Sequence, residues 1–404
     1  MAELRNLQEF CEYISELLSA PITIEDVNHR LLAYSAHENY TDSARIATII
    51  GRKVPETVIN RLWNEGILPR LFESDLPITI PTITDVGLGK RIAISIRNHN
   101  DVLGFIWALE TGTSFEEKHF AILKDAAATA QELILSLRYN TSDQKKEYKD
   151  LLWQLLTRND LSHAKINDAF STLGLKIPAL YTVLVFSFEQ PITPELEKHI
   201  SYIIKTTEQI KPFLYTIDKN HSIMLASPAD KQFDDNAFIA FIQNFAQKMY
   251  ERYRITDVQG AYGNIRRQIK DIKECYQEAL TTLSIKKRLP QDSQTIFNYR
   301  DLGILEYMDI CSNYLPKKEN PVLQKLTAYD AKHDTELVRT LEHYLDYDSN
   351  PKITAEHLHI HVNTLVYRLK RIAEISSLDL YDPRQKIKVY IDLKLQTYRS
   401  CDLL

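Results

Sequence analysis

The stretch from Thr354 to Pro383 reads TAEHLHIHVNTLVYRLKRIAEISSLDLYDP and decides the architecture of the carboxy-terminal end. The pattern predicts a short helix up to His359, a turn through residues 360–362 and a second helix that opens at Asn363. Thr354 is a candidate N-cap, because its hydroxyl can accept a hydrogen bond from the first helical turn. A helix this short needs a partner to be stable, so we expect the two helices to pack together.

The second helix divides into a buried and an exposed face. Its apolar residues recur at helical spacing and predict a buried stripe of Leu365, Leu369, Ile372 and Ile375. From Asn363 to Arg371 the helix carries three positive charges and no acid. This balance suits contact with phosphate, because carboxylates would repel a nucleic-acid backbone. A helix-turn-helix with such a face is typical of an element that enters the major groove of DNA.

The candidate DNA-binding residues are His361, Asn363, Thr364, Tyr367, Arg368, Lys370 and Arg371. Asn can pair with adenine and Arg with guanine through two hydrogen bonds each, whereas Thr and Tyr hydroxyls commonly bind phosphate or sugar. Lys370 and Arg371, near the helix end, are assigned to the DNA backbone. Other interpretations remain open: Asn363 as a helix cap, Tyr367 as a packed residue at the domain edge, and the basic face as an ordinary solvated surface.

The flanking segments predict two more helices of the same domain. Residues 334–347 carry an apolar stripe that consists of Leu337, Leu341, Tyr344 and Leu345. Residues 384–398 carry a second one, with Ile387, Ile391 and Leu395 facing inward. Four helices would therefore form a small all-α domain with a core of its own.

These residues resemble the carboxy-terminal helix-turn-helix of the PucR/CdaR family of bacterial transcription regulators. The family pattern places Thr-Ala before a Leu-x-Ile/Val turn, continues with Asn-Thr-Leu/Val-x-Tyr-Arg-Leu and a basic pair, and closes with Leu-Asp-Leu-x-Asp-Pro. This chain matches it at Thr354, Ala355, Leu358, Ile360, Asn363, Thr364, Leu365, Tyr367, Arg368, Leu369, Lys370, Arg371, Leu378, Asp379, Leu380, Asp382 and Pro383. Ser377 departs from the pattern, because family members usually have Gly there.

The resemblance implies a sequence-specific transcription regulator, in most cases an activator, of a metabolic or catabolic operon. Its partners would be double-stranded promoter DNA and a small effector such as an amino acid or a purine catabolite, with RNA polymerase as a candidate. Helix-turn-helix proteins usually bind palindromic DNA sites, whose two halves are each read by one copy of the protein. A homodimer is therefore expected.

Size and composition limit the class of protein. A chain of 404 residues is too long for one core and predicts two or three domains. The net charge of −5 means that DNA binding has to be local to one basic patch. The four cysteines are scattered, which argues against a disulfide framework and fits a reducing cytoplasm. No apolar run has the length of a membrane span, so no membrane partner is expected.

An enzyme is the alternative from another class, either nucleotide-processing or metal-dependent. It draws on the cluster His357, His359 and His361 and on a cyclase-like layout in the middle of the chain. The predicted turn falls between these histidines, whereas a helical zinc site needs both ligands on one face with an acid between them. Glycine-rich phosphate loops are absent from the sequence. We therefore predict no catalytic residues, no metal and no cofactor.

Residues 1–138 predict a sensor domain. The expected elements are a helix at 4–19, a hairpin at 22–34 with its turn near Asn28 and His29, a helix at 45–65, a strand pair at 91–96 and 102–109, and a helix at 115–138. This order resembles a GAF or PAS-like α+β domain, which PucR-type regulators often carry first. Such a fold encloses a small pocket, and Trp107, Phe105 and Tyr34 could line it, although core packing also explains each. The ligand-binding residues are unknown.

The last sensor helix carries a stripe at three- and four-residue spacing, which consists of Phe120, Leu123, Ala127, Ala130, Ile134 and Leu137. After a polar break at Thr141 and Gln144, Tyr148, Leu151 and Leu155 continue the register, and residues 139–178 are assigned to a helical linker. The spacing indicates a coiled-coil seam between two copies of the chain. A single helix packed on its own sheet has the same pattern.

Residues 179–300 alternate strands and helices in the order of a ferredoxin-like α+β domain. The run GAYGNIRRQIKDIKECYQEALTTL at 260–283, followed by IFNYRDLGI at 296–304, resembles the degenerate GGDEF-like domain of the same family. A basic helix is predicted from Ile265 to Lys286. The Gly-Gly-Asp/Glu-Glu-Phe string of a working cyclase is missing. The chain is therefore predicted to be an α+β multidomain protein whose all-α region at 301–404 contains the helix-turn-helix domain, with a core at 334–400.

Overall fold

The structure is a computed structural model that describes residues 6–36, 41–112, 114–138, 142–158, 162–229, 236–314 and 320–400. These residues combine helices with two antiparallel sheets. The chain falls into two compact units, Met1–Tyr276 and Gln277–Leu404. Within the described ranges, every helix is too short or too polar to cross a membrane.

A five-stranded sheet with helices on both faces forms the first half of the first unit. Its elements are α1 Leu7–Leu18, β1 Ile22–Asp26, β2 Leu31–Tyr34, α2 Ser43–Gly51, α3 Glu56–Asn64, α4 Ile67–Glu73, β3 Ile78–Ile80, β4 Arg91–Asn98, β5 Asp101–Leu109 and α5 Glu117–Arg138. The strand order is β2-β1-β5-β4-β3. Because side chains alternate across a strand, Ile92 and Ile94 pack with α1 and α5, whereas Ala93 packs with α2, α3 and α4.

Both predicted hairpins are confirmed, but the helix expected at 45–65 is two helices. α2 ends at Gly51, where Arg52 adopts the left-handed conformation with φ 55°. α3 begins after Pro55, which occupies its N-cap position. A proline has no N–H to donate and disfavours helical geometry in the residue before it, so one continuous helix cannot pass through this point.

The stripe on α5 is part of the core of the first unit. Leu123, Ala130 and Ile134 are 0%, 0% and 2% exposed, and they pack with α1 and the sheet. The coiled-coil interpretation of these residues is therefore wrong, and the single packed helix is correct. Thr141, in the predicted polar break, lies outside the described residues.

The second half of the first unit is a four-stranded antiparallel sheet with its helices. Its elements are α6 Ser142–Thr157, α7 His163–Thr172, β6 Thr182–Ser187, α8 Pro194–Thr206, β7 Ile210–Asp218, β8 His221–Pro228, α9 Asn236–Tyr253 and β9 Gln259–Tyr262. The next helix, α10 Ile272–Arg288, begins in this unit, and most of its residues belong to the second unit. The strand order is β7-β8-β6-β9. The basic helix starts at Ile272 and not at Ile265, because the backbone of Arg266 exchanges two hydrogen bonds with that of Tyr181.

The second unit is helical. Its remaining elements are α11 Pro290–Ser293, a 3-10 helix Tyr299–Tyr307, α12 Met308–Tyr314, α13 Pro321–His333, α14 Leu337–Asp346, α15 Pro351–His357, α16 Val362–Ser376 and α17 Pro383–Ser400. The sequence reasoning missed α13, whose Leu323 and Leu326 join the core shared by α14, α15, α16 and α17. Asn320 caps α13 through a hydrogen bond from the Val322 N–H, and Pro321 stands at its first position, a common helix start.

The inward face of α17 differs in phase from the prediction. Ile387 is 57% exposed, whereas Val389 and Leu393 are 2% and 4% exposed and belong to the helical core. Leu395 is buried as predicted, in a smaller cluster with Leu302 and Met308. In the first half of α17 the buried stripe therefore consists of Val389 and Leu393, two residues after the predicted Ile387 and Ile391.

Candidate nucleic-acid interface

α15 and α16 form the predicted pair of helices, with one correction at the start. The N-cap of α15 is Asn350, whose side-chain oxygen accepts hydrogen bonds from the N–H groups of Lys352 and Ile353. Thr354 lies inside the helix and is buried, and its hydroxyl donates to the carbonyl of Asn350 at 2.7 Å. The asparagine therefore does the capping that was expected of the threonine, and the helix begins one turn earlier.

The turn between the helices depends on two histidines. His359 adopts the left-handed conformation with φ 53°, which reverses the chain after α15. His361 is the N-cap of α16, and its Nδ1 accepts a hydrogen bond from the Asn363 N–H at 3.2 Å. Asn363 consequently lies inside the first turn of α16, so the interpretation of Asn363 as the helix cap is wrong.

The buried stripe of α16 holds the helix against the rest of the domain. Leu365, Leu369 and Ile372 are 0%, 7% and 0% exposed, as predicted, and Ile375 is partly buried against the same core. Since these residues recur on one side, the opposite side of the helix faces outward.

The candidate DNA-binding residues separate into two groups. His361, Asn363, Thr364, Tyr367 and Lys370 are exposed. Arg368 and Arg371 are partly buried and have partners within the domain. The structure thus places all seven residues on α16 or at its N-cap, but only five of them have exposed side chains.

The two arginines are held by neighbouring helices. Arg368 donates a hydrogen bond to the hydroxyl of Thr340 at 3.0 Å, and its guanidinium is 3.9 Å from Glu336. Arg371 donates to the hydroxyl of Tyr329 on α13 and forms an ion pair with Glu374 at 3.1 Å. The Tyr329 and Glu374 hydrogen bonds raise the pKa of Arg371, because both stabilise its charged form. Either arginine has to exchange these partners to contact DNA.

Two apolar side chains on the exposed face were missed by the sequence reasoning. Val362 and Val366 are 37% and 52% exposed on the first two turns of α16. Their four-residue spacing, out of phase with Leu365 and Leu369, is the signal that could have found them. Apolar side chains at such positions can contact thymine methyl groups in the major groove.

The histidine cluster does not form a metal site in the described part of the chain, where no group of three or more ligating side chains comes together. His357 instead stacks on Tyr347, with ring centroids 4.1 Å apart. His359 and His361 take part in the turn and the cap.

Comparisons with known proteins agree with this geometry. The sequence model of the PucR C-terminal helix-turn-helix domain matches residues 337–395, and that of the GGDEF-like domain matches residues 158–285. The DNA-binding transcriptional activator AdeR of Bacillus subtilis is 39% identical over 96% of this chain and 93% of its own length. The chain belongs to the PucR/CdaR family of transcription regulators. The family resemblance stated from the sequence is therefore confirmed.

Other relatives carry related names. The proline-responsive transcriptional activator PutR of Bacillus subtilis is 26% identical over 96% of each chain. The carbohydrate diacid regulator of Escherichia coli is 31% identical over 32% of this chain and 33% of its own length. A solved regulator of polyketide synthase expression from Bifidobacterium adolescentis aligns with 65% of this chain at 18% identity and a TM-score of 0.32. That last likeness is too low to inform the fold.

Proposed function

We propose that the chain is an effector-responsive, sequence-specific DNA-binding transcription regulator that activates a metabolic or catabolic operon. The observation that carries the proposal is the outward face of α16, where an acid-free run from Asn363 to Arg371 presents exposed polar and basic side chains opposite a buried stripe. A helix of this kind, preceded by a short helix and a tight turn, is the reading element of helix-turn-helix proteins.

The proposed contacts follow from exposure and chemistry. Asn363 and Arg368 read base edges, because their side chains can form paired hydrogen bonds with adenine and guanine. Thr364 and Tyr367 bind phosphate or sugar. His361 contacts the backbone at the turn, and the cations Lys370 and Arg371 neutralise phosphates.

The first unit supports the proposed sensor and middle domains. The order β2-β1-β5-β4-β3 with flanking helices suits a GAF or PAS-like sensor at 1–138. A βαββαβ succession with the order β7-β8-β6-β9 suits a ferredoxin-like, degenerate GGDEF domain at 179–300. We further propose a helical linker at 139–178 between these two domains. The helical region at 301–404, with the helix-turn-helix domain, follows the middle domain along the chain.

The names of the relatives support an effector. AdeR and PutR are named as activators, and PutR as proline-responsive. We propose that this chain likewise responds to a small metabolite, in the cytoplasm, as a homodimer on two half-sites and with RNA polymerase as a further partner. The dimer interface is not the α5 stripe, which is buried within one copy.

Sequencing of DNA fragments enriched by the purified full-length protein tests the proposal. We expect one recurring, two-fold symmetric sequence, bound at physiological salt at least a hundredfold more tightly than random DNA. Gel-shift titrations of that sequence with and without candidate metabolites then measure the response. Equal affinity for the enriched and random fragments would refute a specific regulator.

A further inference from the structure

Val362 and Val366 occupy the first and fifth positions of α16, the helix proposed to enter the major groove. In helix-turn-helix proteins the amino-terminal residues of the recognition helix contact the edges of the bases. The two valines are 37% and 52% exposed. Both therefore lie on the part of the helix that is closest to the bases in such complexes.

The two valines form one apolar patch. Residues four positions apart on a helix are neighbours, with Cβ atoms about 5–6 Å apart. A single methyl group placed over this gap would be within contact distance of both side chains. Asn363 and Tyr367, which directly follow the two valines, are also exposed. The patch is therefore bordered by side chains that can form hydrogen bonds with neighbouring groups of the same ligand.

Valine is an unfavourable residue for an exposed helical position in the free protein. Its β-branched side chain loses rotamer freedom in a helix, so alanine is preferred where nothing has to be contacted. Single exposed apolar side chains are common on protein surfaces, but here two adjoin on the outward face of one helix. α16 contributes Leu365, Leu369 and Ile372 to the core of the domain, so core packing does not explain either valine.

The chemistry of the major groove selects one base for an apolar patch. Thymine carries a 5-methyl group at that edge, whereas adenine, guanine and cytosine present hydrogen-bond donors and acceptors there. Covering one of those polar groups with an aliphatic side chain would remove its water without replacing the hydrogen bond. A phosphate is charged and is disfavoured for the same reason. Thymine is therefore the part of DNA that this patch fits.

We propose that Val362 and Val366 together contact the 5-methyl group of one thymine in each half-site and so help to select the DNA sequence. The assignment rests on the proposed function, since it names a base that the same helix reads. Because Asn363 is assigned to adenine, the first two turns of α16 read A·T base pairs.

Duplexes in which one thymidine of the enriched sequence is replaced by deoxyuridine test the contact. Deoxyuridine pairs with adenine in the same way and lacks only the methyl group. Fluorescence anisotropy with the full-length wild type should show, at one thymine position per half-site, a loss of affinity of about fourfold, as expected for one buried methyl group. If every thymine can be replaced with a loss of less than about twofold, the proposal is overturned.

Alanine variants test which side chains make the contact. Val362→Ala and Val366→Ala should each bind the enriched sequence more weakly and discriminate less between thymidine and deoxyuridine than the wild type does. The double variant should bind both duplexes alike. The two single losses should not be additive, because both side chains share one methyl group. Circular dichroism should show that all three variants are folded, since both positions are exposed.

Ile310→Ala is the matched control. Ile310 is a 57% exposed aliphatic residue on α12, in the same unit and outside the helix-turn-helix. Its replacement should leave the full effect of deoxyuridine in place. A deoxyuridine effect that persists in the double valine variant would assign the methyl contact to another residue and overturn the proposal.

The same duplexes, compared with random DNA, separate this contact from the proposed function. Sequence-specific binding that is unchanged by the loss of every thymine methyl group overturns the valine contact and leaves the regulator standing. Equal affinity for enriched and random DNA refutes the regulator, and the valine contact with it.

Discussion

Arg368 and Lys370 lie two positions apart on α16 but have different surroundings. The guanidinium of Arg368 is oriented by Thr340 and by the nearby Glu336. Lys370 is exposed and has no partner among the described residues. A planar guanidinium, which can donate two parallel hydrogen bonds, suits the reading of one base once it leaves these partners, whereas an exposed ammonium acts as a point charge towards phosphate.

These surroundings predict different losses on DNA. Arg368→Ala should reduce discrimination at one base pair by about 1–3 kcal/mol. Lys370→Ala should weaken binding to all sequences alike and lower the slope of log affinity against log salt by about 1. Fluorescence anisotropy over several salt concentrations, on the enriched site and its single-base variants, measures both effects. The reverse pattern would show that the two roles are exchanged.

A second prediction at this scale concerns Lys286 on α10. Its ammonium donates to the carbonyl of Ile296 at 2.9 Å and lies 4.1 Å from the ring centroid of Phe297. Burial lowers the pKa of Lys286 from 10.5 to about 8. Between these two pH values the unfolded chain binds a proton that the folded chain does not, so stability from this group rises with pH.

The variant Lys286→Met lacks that titration. The free energy of unfolding of the wild type, relative to Lys286→Met, should therefore rise by about 1–3 kcal/mol between pH 7.5 and pH 10.5. Urea denaturation across this range measures it. The exposed neighbour Lys287, changed to Met, is the matched control and should show no such rise. A flat difference for Lys286→Met would mean that the ammonium stays charged when the protein is folded.

At the scale of elements, a buried cation holds α17 in place. Lys394 is 1% exposed, and its ammonium lies 2.6 Å from Asp292, 2.9 Å from Asp346 and 3.2 Å from Glu342. Burial lowers the pKa of Lys394, but the hydrogen bonds to Asp292 and Asp346 outweigh it and the net pKa is raised. One charge on α17 thus compensates three carboxylates on α11 and α14.

Removal of this charge should be costly for the second unit. Lys394→Met leaves three carboxylates facing one another without a cation, and we expect it to lower the free energy of unfolding by about 3–5 kcal/mol. Lys388→Met removes a cation from the same helix that is 68% exposed, and should cost less than about 1 kcal/mol. Circular dichroism in urea compares the variants. A similar loss of unfolding free energy in both variants would contradict the role of Lys394 in holding α17.

At the scale of the whole molecule, one buried tyrosine joins the two sheets of the first unit. The hydroxyl of Tyr202 on α8 accepts the indole N–H of Trp63 at 3.0 Å and lies 2.9 Å from Nε2 of His29. Nδ1 of His29 in turn bonds Glu25 on β1. The imidazole ring of His29 therefore connects Glu25 on β1 with Tyr202 on α8.

Loss of the Tyr202 hydroxyl should weaken this junction. Tyr202→Phe leaves Trp63 and His29 each with a buried group lacking its partner, and should lower the free energy of unfolding by roughly 2–4 kcal/mol. Tyr215→Phe removes a partly exposed hydroxyl bonded to Ser201, which water can replace, and should cost less than about 1 kcal/mol. Scanning calorimetry measures both. Equal losses of unfolding free energy would mean that the buried hydrogen bonds of Tyr202 stabilise the protein no more than the partly exposed one of Tyr215.

The pattern of the sequence was sufficient wherever a feature depends on neighbours along the chain. The buried stripe of α16, both hairpins of the first sheet and the alternation of strands and helices from β6 to β9 all follow from periods of 3.6 or two residues. The seven candidate contacts lie on one short segment, so their grouping needed no knowledge of the fold. Missed α13 also had a local signal, in Asn320 followed by Pro321.

Tertiary structure decided what depends on residues far apart in the chain. The α5 stripe has a heptad spacing that fits either the α5 helix of a second copy or the sheet of its own chain. The structure shows that α1 and the sheet of the same chain bury it. The wall of one cavity brings Glu25, Arg45 and Trp107 together from β1, α2 and β5, three elements with no shared sequence pattern. Periodicity tells which face of an element is buried, but the identity of what covers that face is set by the fold as a whole.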